Sequence, residues 1–222
     1  MIYAPTYSPK HQRELLPRPT KKTNSCPLCP HPEFEAFCRR LQGRPKGSSE
    51  QFQGTLFRFV HPRYSSGMDA TSGMGALKVS GRWHPQGRFP CLYTSTTPET
   101  ALQEMLAANR YNRLQDHRSL PSTLVDIRAE LFHLLDLTNG KLRQRLRLSN
   151  IAIQNCDWRN TNRFDRAEAI TQALGRAAFD LGYEGIIAPS TTSNPNGRNV
   201  VIFPGKLLRS ESIKLLTPIP NT

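Results

Sequence analysis

The chain has 222 residues, enough for one domain with a sizeable core and an arm, or for two small domains at most. Lys and Arg outnumber Asp and Glu by 30 to 17, and the formal charge of +13 favours an anionic partner, whether nucleotide, nucleic acid or acidic protein. No run approaches the roughly 18 apolar residues of a membrane span, Met1 to Lys22 does not read as a secretory leader, and five cysteines make no secreted disulfide framework, so a reducing cytoplasm is expected.

Residues 1–54 gather prolines and a surplus of base with little apolar periodicity, and read as a loosely ordered N-terminal extension. Within it, Phe34, Phe37, Cys38 and Leu41 stand at helical spacing, so Pro32 to Leu41 predicts a short helix able to dock on the main domain. That domain is expected over 55–222. It opens with a strand, Thr55 to Val60, bearing Arg58, followed by a glycine-rich loop from Ser65 to Gly75 and by Arg82 near a second strand. Cys91 to Ser95 predicts a short buried strand. Thr97 then caps a helix with Pro98 at its first position and Glu99 in its first turn, and this helix carries Glu104.

Ser122 to Ile127 and Leu131 to Leu137 predict two strands, and Asn139 to Leu148 a basic helix. Arg163 to Leu181 predicts a longer amphipathic helix whose apolar stripe runs through Phe164, Ala167, Ile170, Leu174, Ala177, Ala178 and Leu181, stopped by Gly182. Gly185 to Ala188 and Asn199 to Phe203 are the closing strands, separated by a turn at Asn196-Gly197. The mixture is α+β in a single compact domain.

Arg82, Tyr93 and Glu104 recur at equal steps of eleven, placing a cation, an aromatic ring and a carboxylate on consecutive elements. On a helical projection Glu104 lies at the border of the apolar arc, and its neighbours three and four away, Ala101, Thr100, Ala107 and Ala108, offer it no cation. The carboxylate is therefore either a solvated helix edge or an acid with work to do. Arg58 and Arg82 each stand among apolar or aromatic neighbours. Their planar forks suit a pyrophosphate, or else they form internal ion pairs, for example with Asp126 or Asp136. Tyr93 fits a core tyrosine or a pocket wall. Ser190 ends a strand at a polar loop, without the neighbouring His base or the nucleophile elbow of a serine hydrolase.

Gly81-Arg82-Trp83-His84-Pro85, Leu92-Tyr93, Pro98-Glu99-Thr100-Ala101-Leu102-Gln103-Glu104, Leu137-Thr138, Leu181-Gly182-Tyr183-Glu184-Gly185-Ile186 and Pro189-Ser190 together resemble the RES domain, a family named for an Arg, a Glu and a Ser. The resemblance runs from about Thr55 to Leu216, with His84 standing where the family commonly has Asn. It implies a fold close to the ADP-ribosyltransferase fold of diphtheria-toxin-type enzymes and a toxin that cleaves the nicotinamide to ribose bond of NAD. Glu104, Arg82 and Ser190 would be catalytic, with Arg58, Arg82, Tyr93 and Ser190 binding NAD as substrate. Water or inorganic phosphate would be the acceptor, without a further cofactor. An antitoxin of the Xre helix-turn-helix type would be the partner. Transfer of ADP-ribose to a protein is the alternative that breaks the same bond.

Cys26, Cys29, His31 and Cys38 have a zinc-like beginning and an irregular continuation, so no metal site is assigned. Lys21-Lys22, Arg39-Arg40 and the Arg143, Arg145, Arg147 series support a nucleic-acid module as the non-enzymatic alternative. They lack interleaved stacking aromatics, so direct nucleic-acid binding is not expected. No dinucleotide or phosphate-loop glycine motif is present, so NAD would be consumed and not used as a redox cofactor.

Overall fold

In the computed structural model, which describes residues 28–43, 49–111, 122–192 and 196–216, the sheet is organised by one long strand. This strand, Thr123–Asp136, replaces the two expected around Arg128-Ala129-Glu130. Those three residues are not a break: Ile127, Ala129 and Leu131 are buried while Arg128 and Glu130 point to solvent, the period of two that one continuous strand requires. Numbering elements along the chain, the strands are β1 (Glu50–Val60), β2 (Leu92–Ser95), β3 (Thr123–Asp136), β4 (Gly185–Pro189), β5 (Arg198–Ile202) and β6 (Ile213–Leu216). Strand β1 thus begins five residues ahead of Thr55, because Gln53 and Gly54 still pair with Glu130 and Ala129.

The order β1-β2-β5-β4-β3-β6, with a further pairing of β1 to β3, closes the first five strands into a barrel-like ring. Strand β3 makes this possible by its length: antiparallel β1 takes one edge, and the other edge is shared by antiparallel β6 along Asp126–Ala129 and by parallel β4 along Leu134–Asp136. Leu56, Leu92, Ile127, Leu131, Leu134, Val200 and Ile202 fill one core, each fully buried side chain worth about 1.5–3 kcal/mol.

The helices are α1 (Phe34–Gln42), α2 (Pro98–Tyr111), α3 (Gly140–Leu146), α4 (Asn150–Gln154), α5 (Trp158–Asn160) and α6 (Ile170–Asp180). A second core joins α1, α3, α4 and α6 to the other sheet face, with Phe37 and Leu41 of the N-terminal extension buried in it. Residues 28–31 are tied in as well: Cys29 bridges Ala167, and the His31 N–H donates to Glu168, which forms a two-pronged ion pair with Arg176.

The long helix expected over Arg163 to Leu181 is not formed. Thr161–Asp165 is a single π turn, Arg166 adopts a left-handed conformation at φ 52°, and α6 begins only at Ile170. Phe164 is consequently 68% exposed instead of buried on the stripe. Arg147, left-handed at φ 56°, likewise ends α3 before the expected Leu148. No strand forms at Arg82; Gly81 and His84 make one isolated bridge that closes a tight turn. Among the described residues no helix is long and apolar enough to cross a membrane.

Candidate active site

Glu104 is placed by α2, whose start follows from its first residues. Thr97 Oγ1 accepts the Thr100 N–H at 3.2 Å and pairs with the Thr100 hydroxyl at 3.0 Å, satisfying an orphan donor of the first turn. One turn later Glu104 Oε1 accepts two short hydrogen bonds, each of 2.6 Å, from Ser190 Oγ and from Asn199 Nδ2. Both donors stand at ends of adjacent antiparallel strands, Ser190 just after β4 and Asn199 in β5 opposite Ala188 and Ser95. Asn199 is oriented by the Ser95 hydroxyl at 2.8 Å, and Ser190 by the Thr192 N–H, which donates to its Oγ at 3.2 Å, while the Thr192 hydroxyl donates to Gln103 at 3.0 Å. Among the described residues Glu104 has no ion pair and Oε2 has no hydrogen-bond partner. One carboxylate oxygen is thus fixed by two donors and the other by none among the described residues.

Arg82 is presented by the Gly81–His84 turn, held from three sides. The Tyr93 hydroxyl accepts the Trp83 N–H at 3.0 Å. Gln172 of α6 donates to the Gly81 carbonyl at 2.8 Å, and its own amide is fixed by a reciprocal pair with Asn162. Arg82 Nη1 donates to the carbonyls of Ile153 and Cys156, at 2.7 and 3.1 Å, at the end of α4. Two glycines permit this closeness. A Cβ at Gly81 would collide with the Tyr93 hydroxyl and the His84 ring, and one at Gly175 would run into the Trp83 carbonyl.

His84 is 2% exposed, with Nε2 3.0 Å from the Val79 carbonyl and Nδ1 3.0 Å from the Tyr93 hydroxyl. A carbonyl only accepts, so Nε2 carries the proton and Nδ1 accepts from Tyr93. Burial pushes the imidazole below its ordinary value, in keeping with a neutral ring, and pushes the Tyr93 phenol well above its own. The Tyr93 hydroxyl is therefore spent on the turn, and its ring packs against the core.

Arg58 stands apart from this group. It pairs with neither Asp126 nor Asp136; Nη1 donates to the Ala70 carbonyl at 3.1 Å, Nε is buried without a hydrogen-bond partner among the described residues, and burial lowers the guanidinium's affinity for its proton. A cation missing from the sequence reading lies nearer to Glu104. Arg159 stacks on Tyr111 at 4.3 Å and on Trp158 at 4.4 Å. Tyr111 shares the face of α2 with Glu104, two turns on. Burial is the largest influence on Arg159, and it also feels the charges of Arg82 and Glu104.

The basic series has other occupations. Arg143 Nη1 donates to the carbonyls of Leu137 and Thr138, Arg145 to those of Arg40 and Gly43, and Arg40 pairs with Glu33 at 2.9 Å; Lys21 and Lys22 lie outside the described residues. Cys26 also lies outside them, and His31 Nδ1 accepts the Glu33 N–H. Among the described residues no three His, Cys, Asp or Glu side chains could together hold a metal ion.

Residues 55–218, which contain the whole Glu104 cluster and the Arg82 turn, match the family model of the RES domain. The chain belongs to the RES domain family. Among its relatives, the NAD(+) phosphorylase MbcT of Mycobacterium tuberculosis is 28% identical over 190 residues, 82% of this chain and 91% of that protein. The Toxin Res of Pseudomonas putida is 42% identical over 60 residues, 27% of this chain and 38% of that one. The crystal structure of the M. tuberculosis MbcT-MbcA toxin-antitoxin complex contains a chain that superposes with a TM-score of 0.62 at 24% identity, covering 82% of this chain and 90% of that chain. The barrel-like α+β architecture of this RES domain is thus shared with a solved fold.

Proposed function

We propose that this RES domain is a toxin that depletes NAD by cleaving its nicotinamide to ribose bond, with inorganic phosphate as acceptor. The observation that carries the reading is the asymmetry of Glu104, whose Oε1 is fixed by Ser190 and Asn199 while Oε2 is presented. Its likeness to relatives named NAD(+) phosphorylase along 82% of the chain supports the substrate.

In this scheme the bond between C1 of the nicotinamide ribose and the pyridinium nitrogen breaks. The electron pair leaves with nicotinamide and neutralises its ring. Positive charge develops on C1 and the ribose ring oxygen, where the Glu104 carboxylate stabilises it, as carboxylates do in glycoside cleavage. A phosphate oxygen then bonds to C1, giving ADP-ribose 1-phosphate. Arg82 holds the pyrophosphate through its planar fork, Ser190 positions the carboxylate and the nucleotide, and Tyr93 shapes the nicotinamide wall, while Arg58, buried on the Ala70 carbonyl, is left without a part in this scheme. The fold would then be related to that of the diphtheria-toxin-type ADP-ribosyltransferases, which break the same bond. The chain would act in the cytoplasm. Its partner would be an antitoxin of the Xre helix-turn-helix type, which a +13 surface would favour if that partner is acidic.

The test is the fate of NAD incubated with the protein, with and without phosphate and with lysate. ADP-ribose 1-phosphate formed only with phosphate supports the proposal. Free ADP-ribose would make water the acceptor, ADP-ribose attached to a lysate protein would make the chain a transferase, and intact NAD would remove the reading.

A further inference from the structure

We propose that a cleft at the carboxyl ends of the parallel strands β3 and β4 binds inorganic phosphate. The inference rests on the reading that phosphate is the acceptor. The cleft encloses about 350 Å³ and is lined by Thr138, Arg143, Asn150, Pro189, Gly197 and Arg198 among others.

Its cations are arranged for an oxyanion. Arg143 is clamped by Nη1 on the carbonyls of Leu137 and Thr138, at 2.6 and 2.8 Å, which leaves Nε and Nη2 for other acceptors. Neither Arg143 nor Arg198 has a carboxylate partner among the described residues. A guanidinium held by carbonyls and not neutralised retains its full charge for a ligand.

Asn150 identifies the oxyanion. Its Oδ1 is buried and has no hydrogen-bond partner among the described residues, an acceptor left over in a cationic cleft. Such an atom costs stability unless a donor fills the place. Hydrogen phosphate near neutral pH carries anionic oxygens for the arginines and one P–OH for Asn150. The diphosphate bridge of NAD and the sulfate ion carry no such proton.

The position fits a co-substrate. Pro189 and Arg198 immediately precede Ser190 and Asn199, the two residues on Glu104 Oε1, and the Ser190 N–H donates to the Gly197 carbonyl at 2.8 Å, joining the rims. Phosphate gathered here would reach the Glu104 site across the joined ends of β4 and β5. Its oxygen forms the new bond to C1 once the bond to nicotinamide has broken, and the P–OH proton remains on the phosphate or is released with product.

The full-length protein and its Arg198→Ala and Asn150→Leu variants, checked for folding by circular dichroism, would be titrated with inorganic phosphate by calorimetry without NAD. KM for phosphate and KM for NAD would then be measured separately. Each variant is expected to weaken phosphate binding and raise KM for phosphate by about tenfold, with KM for NAD unchanged. Sulfate should bind more weakly than phosphate to the wild type and about equally to Asn150→Leu. Unchanged phosphate binding in both variants, or a rise confined to KM for NAD, would overturn the proposal. Loss of phosphate binding in the variants of a protein that never consumes NAD would support the cleft while removing the catalytic reading.

Discussion

Ser190 donates its hydroxyl proton to Oε1 of Glu104 across 86 residues of sequence, at 2.6 Å. With Asn199 on the same oxygen, the two donors set the plane of the carboxylate and so the direction in which Oε2 points. Ser190→Ala and Asn199→Ala should each lower kcat for NAD loss by about 10- to 100-fold with a smaller change in KM, since the aim of the carboxylate is what each removes. Because both act on one atom, the double variant should lose less than the product of the single losses, which a double-mutant cycle on kcat measures.

Arg82→Lys keeps the charge and loses the fork. A single ammonium that held the Ile153 and Cys156 carbonyls would keep only one donor, where the guanidinium keeps a fork for a diphosphate. KM for NAD should rise by about tenfold or more at unchanged fold, read from initial rates. A KM within twofold of wild type would separate Arg82 from phosphate binding.

Tyr93→Phe removes the acceptor of the buried Trp83 N–H and the donor to His84 Nδ1 together. It should cost about 1–3 kcal/mol in chemical denaturation. Gly175→Ala should destabilise by about 1–3 kcal/mol through the Trp83 carbonyl, lowering Tm without touching any side chain of the site.

How much of this was legible in the sequence differs from residue to residue. The Thr97 cap and the helix that carries Glu104 were, because a cap followed by an amphipathic turn is a local signal; the parts given to Glu104 and Arg82 came from the resemblance to the RES domain and not from local pattern. Asn199 was read only as a strand member, although an amide beside Val200, Val201 and Ile202, all buried, is a signal that a polar group is wanted at that register. Gln172 gave a similar sign, fully buried in an apolar helix face where its amide holds the Arg82 turn. Arg159 gave none, since the Tyr111 ring it stacks on belongs to α2, far away in sequence, and no local pattern encodes that pairing. Arg128 and Glu130 misled for an opposite reason, being the solvent face of a strand whose partner edge lies far off in sequence.

His84 supplies a pH dependence. Burial holds its folded value below the ordinary imidazole value of about 6.5, so below that pH the unfolded chain takes up the proton more readily than the folded one. The contribution of this site is complete above about pH 6.5 and declines as the pH falls further. Tm should therefore drop more steeply in wild type than in His84→Asn on going from about pH 8 to about pH 5. Parallel curves would mean that the buried ring accepts the proton at no cost.

The most direct test of the account is nicotinamide release from NAD, with phosphate present, by the wild type and by Glu104→Gln, an isosteric change that keeps hydrogen-bonding capacity and removes the charge. The wild type should release nicotinamide and the variant should lose about 100- to 10,000-fold of that rate at unchanged Tm and circular dichroism. Turnover by a folded Glu104→Gln protein within tenfold of wild type would contradict it, because nothing else described in the site carries a negative charge to the ribose.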